Sequence, residues 1–258
     1  MKSTTRKILK SIFPESFWKR AFRTSSQLVS SDYLARHGFS SMWWSLQNLK
    51  KLGYQPDIIV DVGAFAGEWT KRAMTIFEDK YFLMVEPQPD KQTLLSQLEK
   101  KYKNVMFAPF VVAATDDQNV EFTIQKTGSS VYEQTFEGRA SKQKVTLQTK
   151  MLDSIVQEKK LTGEFLLKLD VQGYEIEVMK GAKHLLDHTN VVLLESSLLN
   201  YNRNAPLIDE IFKYMKQQGF ILFDVAELNR KDDDNVLSQA DLIFCRHDWQ
   251  IRQKSNFI

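Results

Sequence analysis

The sequence predicts an α/β protein built on a mostly parallel sheet, and three observations carry that expectation. Short apolar runs at Asp57–Val62, Tyr81–Val85, Val105–Phe107, Glu164–Val171 and Val191–Glu195 read as strands buried on both faces. Helical periodicity separates most of them, and parallel strands need such crossovers. With 258 residues, 43% hydrophobic and 26% charged, the chain can bury a large core, and its ordinary composition excludes disorder, collagen-like repeats and a coiled-coil rod.

In chain order, the first sixty residues read as helices, with Met42, Trp43, Leu46, Leu49 and Leu52 at helical spacing until Gly53 and Pro56 end the pattern. Strand Asp57–Val62, helix Glu68–Phe77, strand Tyr81–Val85, helix Asp90–Tyr102 and strand Val105–Phe107 then form a βαβαβ unit. Between Val111 and Thr149 the pattern pauses. There Val120–Ile124 and Val145–Thr149 alternate like half-exposed strands around a polar loop containing Thr127, Gly128, Ser129 and Ser130. Strand Glu164–Val171, helix Tyr174–Leu186, strand Val191–Glu195 and helix Pro206–Gln218 resume it. Phe220–Val225 and Asp241–Arg246, joined by the loop Asn229–Leu237, close the chain as an antiparallel hairpin at the sheet edge. We divide the chain into an N-terminal helical extension, 1–55, and one main domain, 56–258.

Charge is unevenly spread. Seven cations against Glu15 leave +6 over residues 1–23, so the rest of the chain carries −3 of the total of +3. A body of that sign is not built to follow a nucleic-acid backbone, and no nucleic-acid partner is expected. The basic segment interleaves Ile8, Leu9, Ile12, Phe13, Phe17, Trp18 and Phe22 with its cations; a helix packed on its own protein is favoured over a membrane-surface anchor. No run approaches the ~18 apolar residues of a membrane span, and no secretory signal is recognisable. The single cysteine, Cys245, lies in an apolar run and reads as a buried reduced thiol, consistent with a cytoplasmic location.

Chemistry concentrates at the carboxyl ends of the predicted strands. Asp61-Val62-Gly63-Ala64-Phe65-Ala66-Gly67 is an acid followed by a turn whose glycines allow a ligand close to the backbone. The spacing is not G-x-G-x-x-G, which weakens a nicotinamide-dinucleotide oxidoreductase, the alternative reading alongside a non-catalytic cofactor-binding module. Asp61 repels phosphate and suits the ammonium of an amino-acid moiety. Glu86, ending the next strand before Pro87 and Gln88, has the two acceptors that ribose 2′- and 3′-hydroxyls require. Lys168, Asp170 and Gln172 fall on one side by alternation, and Glu195 ends the next strand. Three carboxylates, Glu86, Asp170 and Glu195, thus meet at one sheet edge and favour a cationic or polyhydroxylated ligand. His184 with His188, and Asp232–Asp234, read as solvated surface, so no metal is expected.

The segments Asp61–Thr70, Glu86–Asp90, Gly128–Ser130, Lys168–Ala182 and Val191–Ser197 together resemble the FkbM family of S-adenosylmethionine-dependent methyltransferases, over about residues 40–246. The chain departs from it at Gln172, where many members carry Glu. The resemblance implies a Rossmann-like class I methyltransferase fold, with seven strands and a terminal antiparallel hairpin. It also implies S-adenosylmethionine as cofactor and methyl transfer to a hydroxyl of a sugar, glycan or secondary metabolite. Candidate cofactor contacts are Asp61, Gly63, Ala64, Gly67, Glu86, Gln88 and Ala113; candidate catalytic residues are Asp170 as base, Glu195 as its second and Lys168 as electrostatic partner.

Overall fold

The computed structural model describes residues 41–124, 129–132, 143–231 and 234–250. Residues 1–40, Gly128, Asp232 and Asp233, on which the readings of the basic N-terminus and parts of two loops fall, lie outside that set. The strands are β1 (Ile58–Val62), β2 (Tyr81–Val85), β3 (Val105–Ala108), β4 (Val111–Val112), β5 (Asn119–Ile124), β6 (Gln143–Lys150), β7 (Phe165–Leu169), β8 (Thr189–Ser197), β9 (Phe220–Arg230) and β10 (Leu237–Arg246). The helices are α1 (Met42–Lys51), α2 (Glu68–Met74), α3 (Pro89–Lys101), α4 (Leu152–Glu158), α5 (Glu175–Lys180), α6 (Lys183–Asp187) and α7 (Ile208–Gln217).

Seven strands form one sheet in the order β3-β2-β1-β7-β8-β10-β9. All neighbours up to β8 pair parallel, and β10 runs antiparallel to both β8 and β9. The expected antiparallel hairpin is therefore present at the sheet edge, with its first strand, β9, outermost. β10 inserts between β8 and β9, because only there can its two apolar faces be buried: Leu242, Ile243, Phe244 and Cys245 are each at most 2% exposed. β4, β6 and β5 make a separate three-stranded sheet, as the alternating pattern of the insertion requires.

Two cores flank the large sheet. On one face Val60, Leu167 and Leu194 pack with residues of α4, α5, α6 and α7; on the other Ile59, Leu166 and Leu193 pack with residues of α1, α2 and α3. α1 starts at Ser41, whose hydroxyl accepts the Trp44 N–H, so the N-terminal helix belongs to the second core. The helix expected over Tyr174–Leu186 is broken in two at Gly181, where the backbone passes the Ala113 carbonyl so closely that a Cβ would overlap it. α4 went unread, although Leu152, Ile155 and Val156 carry helical spacing and are buried.

Tyr54, 1% exposed, ties the α1–β1 connection to the sheet by donating its hydroxyl to the Phe165 carbonyl at 3.0 Å. Tyr54→Phe is expected to cost about 1 kcal/mol, a fall of roughly 2–4 °C in a calorimetric melt. An unchanged melting temperature would remove that bond from the account of the fold.

Candidate functional site

The turn after β1 is held over the end of β2, with the Gly63 and Ala64 N–H groups both donating to the Val85 carbonyl at 2.9 and 3.1 Å. A Cβ at Gly63 would overlap the Asp170 carbonyl oxygen, so only glycine lets the ends of β1 and β7 come this close. Phe65 takes a left-handed φ of 49°, costly for a bulky residue, and its N–H donates to Glu86 Oε2 at 2.8 Å. The Gln88 N–H donates to Oε1 at 3.0 Å. Glu86 is thus fixed in orientation and 3% exposed; burial raises its carboxyl pKa, against the two N–H bonds and the distant Lys168 charge.

A cavity opens at these strand ends, lined by Gly63, Ala64, Trp69, Glu86, Gln88, Phe110, Lys168, Asp170, Gln172, Tyr174 and Asp241, among others. Lys168 is almost wholly buried. Its ammonium donates to Asp61 Oδ1 at 2.8 Å and to the Gly63 carbonyl at 3.1 Å, and stands 3.7 Å from Asp170 Oδ2. Burial alone would lower its pKa, but Asp61 and then Asp170 outweigh it and hold the ammonium above its ordinary value. Asp170 keeps 41% of its side chain exposed, so this carboxylate is both anchored and open to a ligand.

Beyond Asp170 the backbone reverses through Gln172 and Gly173, at φ 56° and 99°. The Gln172 carbonyl accepts from Ser130 Oγ at 3.1 Å and Asn202 Nδ2 at 2.7 Å, and its side-chain amide donates to Asp170 Oδ1 at 3.0 Å and Glu195 Oε1 at 2.8 Å. A glutamate here would be a third acid between two others; the amide bridges them instead. Gln239 Nε2 also donates to Glu195 Oε1, at 2.7 Å. Burial, then Asp170 and Asp241, push the Glu195 carboxyl well above the usual range. Glu175 accepts the Val171 and Gly173 N–H groups and is itself pushed up to about 7 by burial.

The structure brings Gly63, Ala64, Glu86, Gln88, Lys168 and Asp170 to one cavity, and puts four candidates elsewhere. Asp61 is 0% exposed and gives one oxygen to Lys168 and the other to Thr70 Oγ1 at 2.6 Å, so it orders the site from beneath instead of meeting an ammonium. A Cβ at Gly67 would meet Leu98 Cδ1 at 2.6 Å and Leu95 Cδ2 at 3.2 Å, so that glycine makes room for α3, not for a ligand. Ala113 sits against Gly181, behind the cavity wall formed by Val111 and Val112. Glu195 lies one amide behind the cavity, reached through Gln172. Sequence reasoning missed Asp241, Trp69, Phe110 and Tyr174; the signal for Asp241 was an acid opening an apolar strand in the same manner as the other sheet-edge acids. Among the described residues no cluster of His, Cys, Asp and Glu has the arrangement to hold a metal ion, and no helix is long and apolar enough to cross a membrane.

A seven-stranded sheet of this order, with one antiparallel strand second from the edge and a crevice at the carboxyl ends, is the Rossmann-like fold of the class I methyltransferases. Residues 61–222 match the methyltransferase FkbM domain, and the chain belongs to that family. Similar solved structures include the methyltransferase FkbM from Methylobacillus flagellatus KT, at 14% identity and TM-score 0.48, covering 73% of this chain and 44% of that one. The chain therefore spans less than half the length of that protein. The magnesium protoporphyrin IX methyltransferase ChlM from Synechocystis PCC 6803, solved with bound SAM, is similar at 12% identity and TM-score 0.41, over 80% of this chain and 81% of that one. The N-methyltransferase NodS from Bradyrhizobium japonicum WM9 follows at 8% identity and TM-score 0.45, over 79% and 93%. No curated protein matches the sequence.

The Lys168–Asp61 pair can be tested through stability. Lys168→Met alone strands a buried carboxylate and is expected to cost about 3–5 kcal/mol, whereas adding Asp61→Asn should restore most of it. Chemical denaturation of the parent, single and double variants measures this, and a double variant no more stable than the single one would refute it.

Proposed function

We propose that the protein is an S-adenosylmethionine-dependent O-methyltransferase acting on a hydroxyl of a sugar, glycan or secondary metabolite. The observation that carries this reading is that Glu86 and Asp170, on strands separated by β1, face one cavity across the Gly63 turn. The residues fit the cofactor. Glu86 is aimed by two backbone N–H groups and keeps lone pairs for the ribose hydroxyls, while Phe110, Val111 and Pro87 offer apolar surface to a flat base. Gly63, Ala64 and Gln88 complete that wall.

S-adenosylmethionine supplies a methyl on a cationic sulfonium, and the reaction exchanges the S–CH₃ bond for an O–CH₃ bond with loss of the acceptor proton. Asp170 takes that proton on Oδ1 or Oδ2. It is better placed as base than Glu195, because its side chain is open to the cavity while Glu195 stands behind Gln172. Lys168, 3.7 Å from Asp170 Oδ2, keeps the carboxylate in place. Positioning of the acceptor against Asp170 supplies most of the rate, and the base about 10²–10⁴-fold. Trp69 and Tyr174 form part of the cavity wall beside Asp170.

Calorimetry with S-adenosylmethionine is the first test. Micromolar binding is expected for the parent, and Glu86→Ala should weaken it about 10²-fold through loss of two charge-assisted hydrogen bonds. Asp170→Asn should leave affinity within about threefold while methyl transfer falls about 10²-fold. A chain that binds no S-adenosylmethionine, or an Asp170→Asn variant that turns over at the parent rate, contradicts the assignment.

A further inference from the structure

Asp241 is the one cavity-facing carboxylate whose place in the site the preceding account leaves unexplained. β10 pairs it directly with Glu195 on β8 and with Glu227 on β9, at the rim that also holds Asp170. It is 8% exposed and lines the cavity. Every other carboxylate of the site has a donor: Asp61 has Lys168 and Thr70, Glu86 has Phe65 and Gln88, Asp170 has Gln172, Glu175 has Gly173, and Glu195 has Gln172 and Gln239. Among the described residues no group donates a hydrogen bond to Asp241. Its carboxylate faces the cavity without a protein donor, so the group that pairs with it there is water or a bound molecule. The family match ends at residue 222 and assigns nothing to this strand.

We propose that Asp241 is the acceptor-recognition residue of the site, taking a hydrogen bond from a second hydroxyl of the molecule being methylated. This rests on the methyltransferase reading above and narrows its substrate to a ring bearing at least two hydroxyls. β8 lies between the strands that carry Asp170 and Asp241, so their backbones stand about 10 Å apart at two strand spacings of ~4.8 Å. One six-membered ring with substituents on opposite sides bridges such a gap, reacting at Asp170 and held at Asp241. Tyr174 and Tyr132, edge to face at 5.2 Å, stand on the Gly173 side of the same space, with Tyr174 in the cavity wall. An aromatic wall facing carboxylates suits the apolar face and hydroxyl rim of a sugar. A bare carboxylate discriminates strongly here, because an analogue lacking the second hydroxyl leaves it unpaired.

The electrostatic setting separates this role from a structural one. Asp241 is pushed up to about 7 by burial, then by Asp170 and Glu227, with Lys168 the only opposing charge of note. A carboxyl whose pKa rises on folding destabilises the fold progressively as pH climbs from its unfolded value to about 7, and at pH 8 the full penalty applies, so removing the charge there should stabilise.

The test uses full-length protein and its Asp241→Asn variant, with S-adenosylhomocysteine present for saturation-transfer NMR and methyl-labelled S-adenosylmethionine for turnover. The acceptor probes are a panel of methyl glycosides, with cyclohexanol as the single-hydroxyl control. Expected are engagement of at least one glycoside and not of cyclohexanol by the parent, and a KM for that glycoside at least tenfold higher in the variant with kcat within about threefold. At pH 8 the variant should also melt roughly 2–4 °C above the parent. An unchanged KM, a variant that melts below the parent, or a parent that binds cofactor but engages no glycoside overturns the proposal. Failure of the underlying methyltransferase reading looks different: the parent binds no S-adenosylmethionine at all.

Discussion

The site depends on one buried ion pair. Asp61 and Lys168 stand directly opposite in the parallel register of β1 and β7, and both are withdrawn from water. Such a pair is expensive to desolvate and persists only when its remaining bonds are satisfied. Here they are: Thr70 of α2 takes the second Asp61 oxygen, and Lys168 also reaches the Gly63 carbonyl. The Trp69 ring lies 5.7 Å from the ammonium, adding a π-face on the cavity side. The pair therefore locks helix α2, the turn after β1 and the end of β7 into one geometry, and Asp170 inherits its position from it.

Around that anchor the carboxylates are graded by what touches them. Asp170 has the Lys168 charge and an open side chain; Glu86 has two backbone N–H groups; Glu195 has two amides and no nearby cation in contact. Gln172 and Gln239 matter because a neutral amide can bridge acids that would otherwise repel. Several acids packed along one sheet edge cannot all ionise freely, so burial and mutual repulsion raise the pKa of the more buried Glu195 and Asp241 and leave the open Asp170 to work. Charge is thus sorted by depth along the sheet edge.

The half of the fold formed by β1, β2 and β3 was legible because its strands, crossover helices and glycine turn follow one another in sequence, and local pattern suffices there. Asp61 reads in sequence as an acid at a turn, but its partner is 107 residues away, so the pairing that removes it from the ligand side leaves no local trace. Gly67 shows a related limit: in sequence a glycine turn looks alike whether the missing Cβ makes room for a ligand or, as the structure has it, for Leu95 and Leu98 of the next helix. The same limit hid the break at Gly181, where the obstructing atom belongs to Ala113, and it let a continuous helix be read across 174–186. Alternation did place Lys168 and Asp170 correctly, since period two is set by the backbone alone.

The insertion of β10 is the non-local step with the largest consequence. The opposite order within the edge hairpin would have placed β9 beside β8 and left Asp241 two strands from Glu195, at a solvent-facing margin. Antiparallel insertion reverses the strand, so its first residues, not its last, reach the carboxyl rim, and Asp241 arrives beside Glu195 in place of Arg246. The strand's apolar body makes that placement favourable, as Leu242 through Cys245 find cores on both faces of the sheet. The cost falls on the acid at its head. Burial of the four apolar residues, at roughly 1.5–3 kcal/mol for each large side chain, outweighs one unpartnered carboxylate at about 1–3 kcal/mol or somewhat more. The packing of β10 therefore brings Asp241 to the mouth of the site, with its carboxylate turned to the cavity.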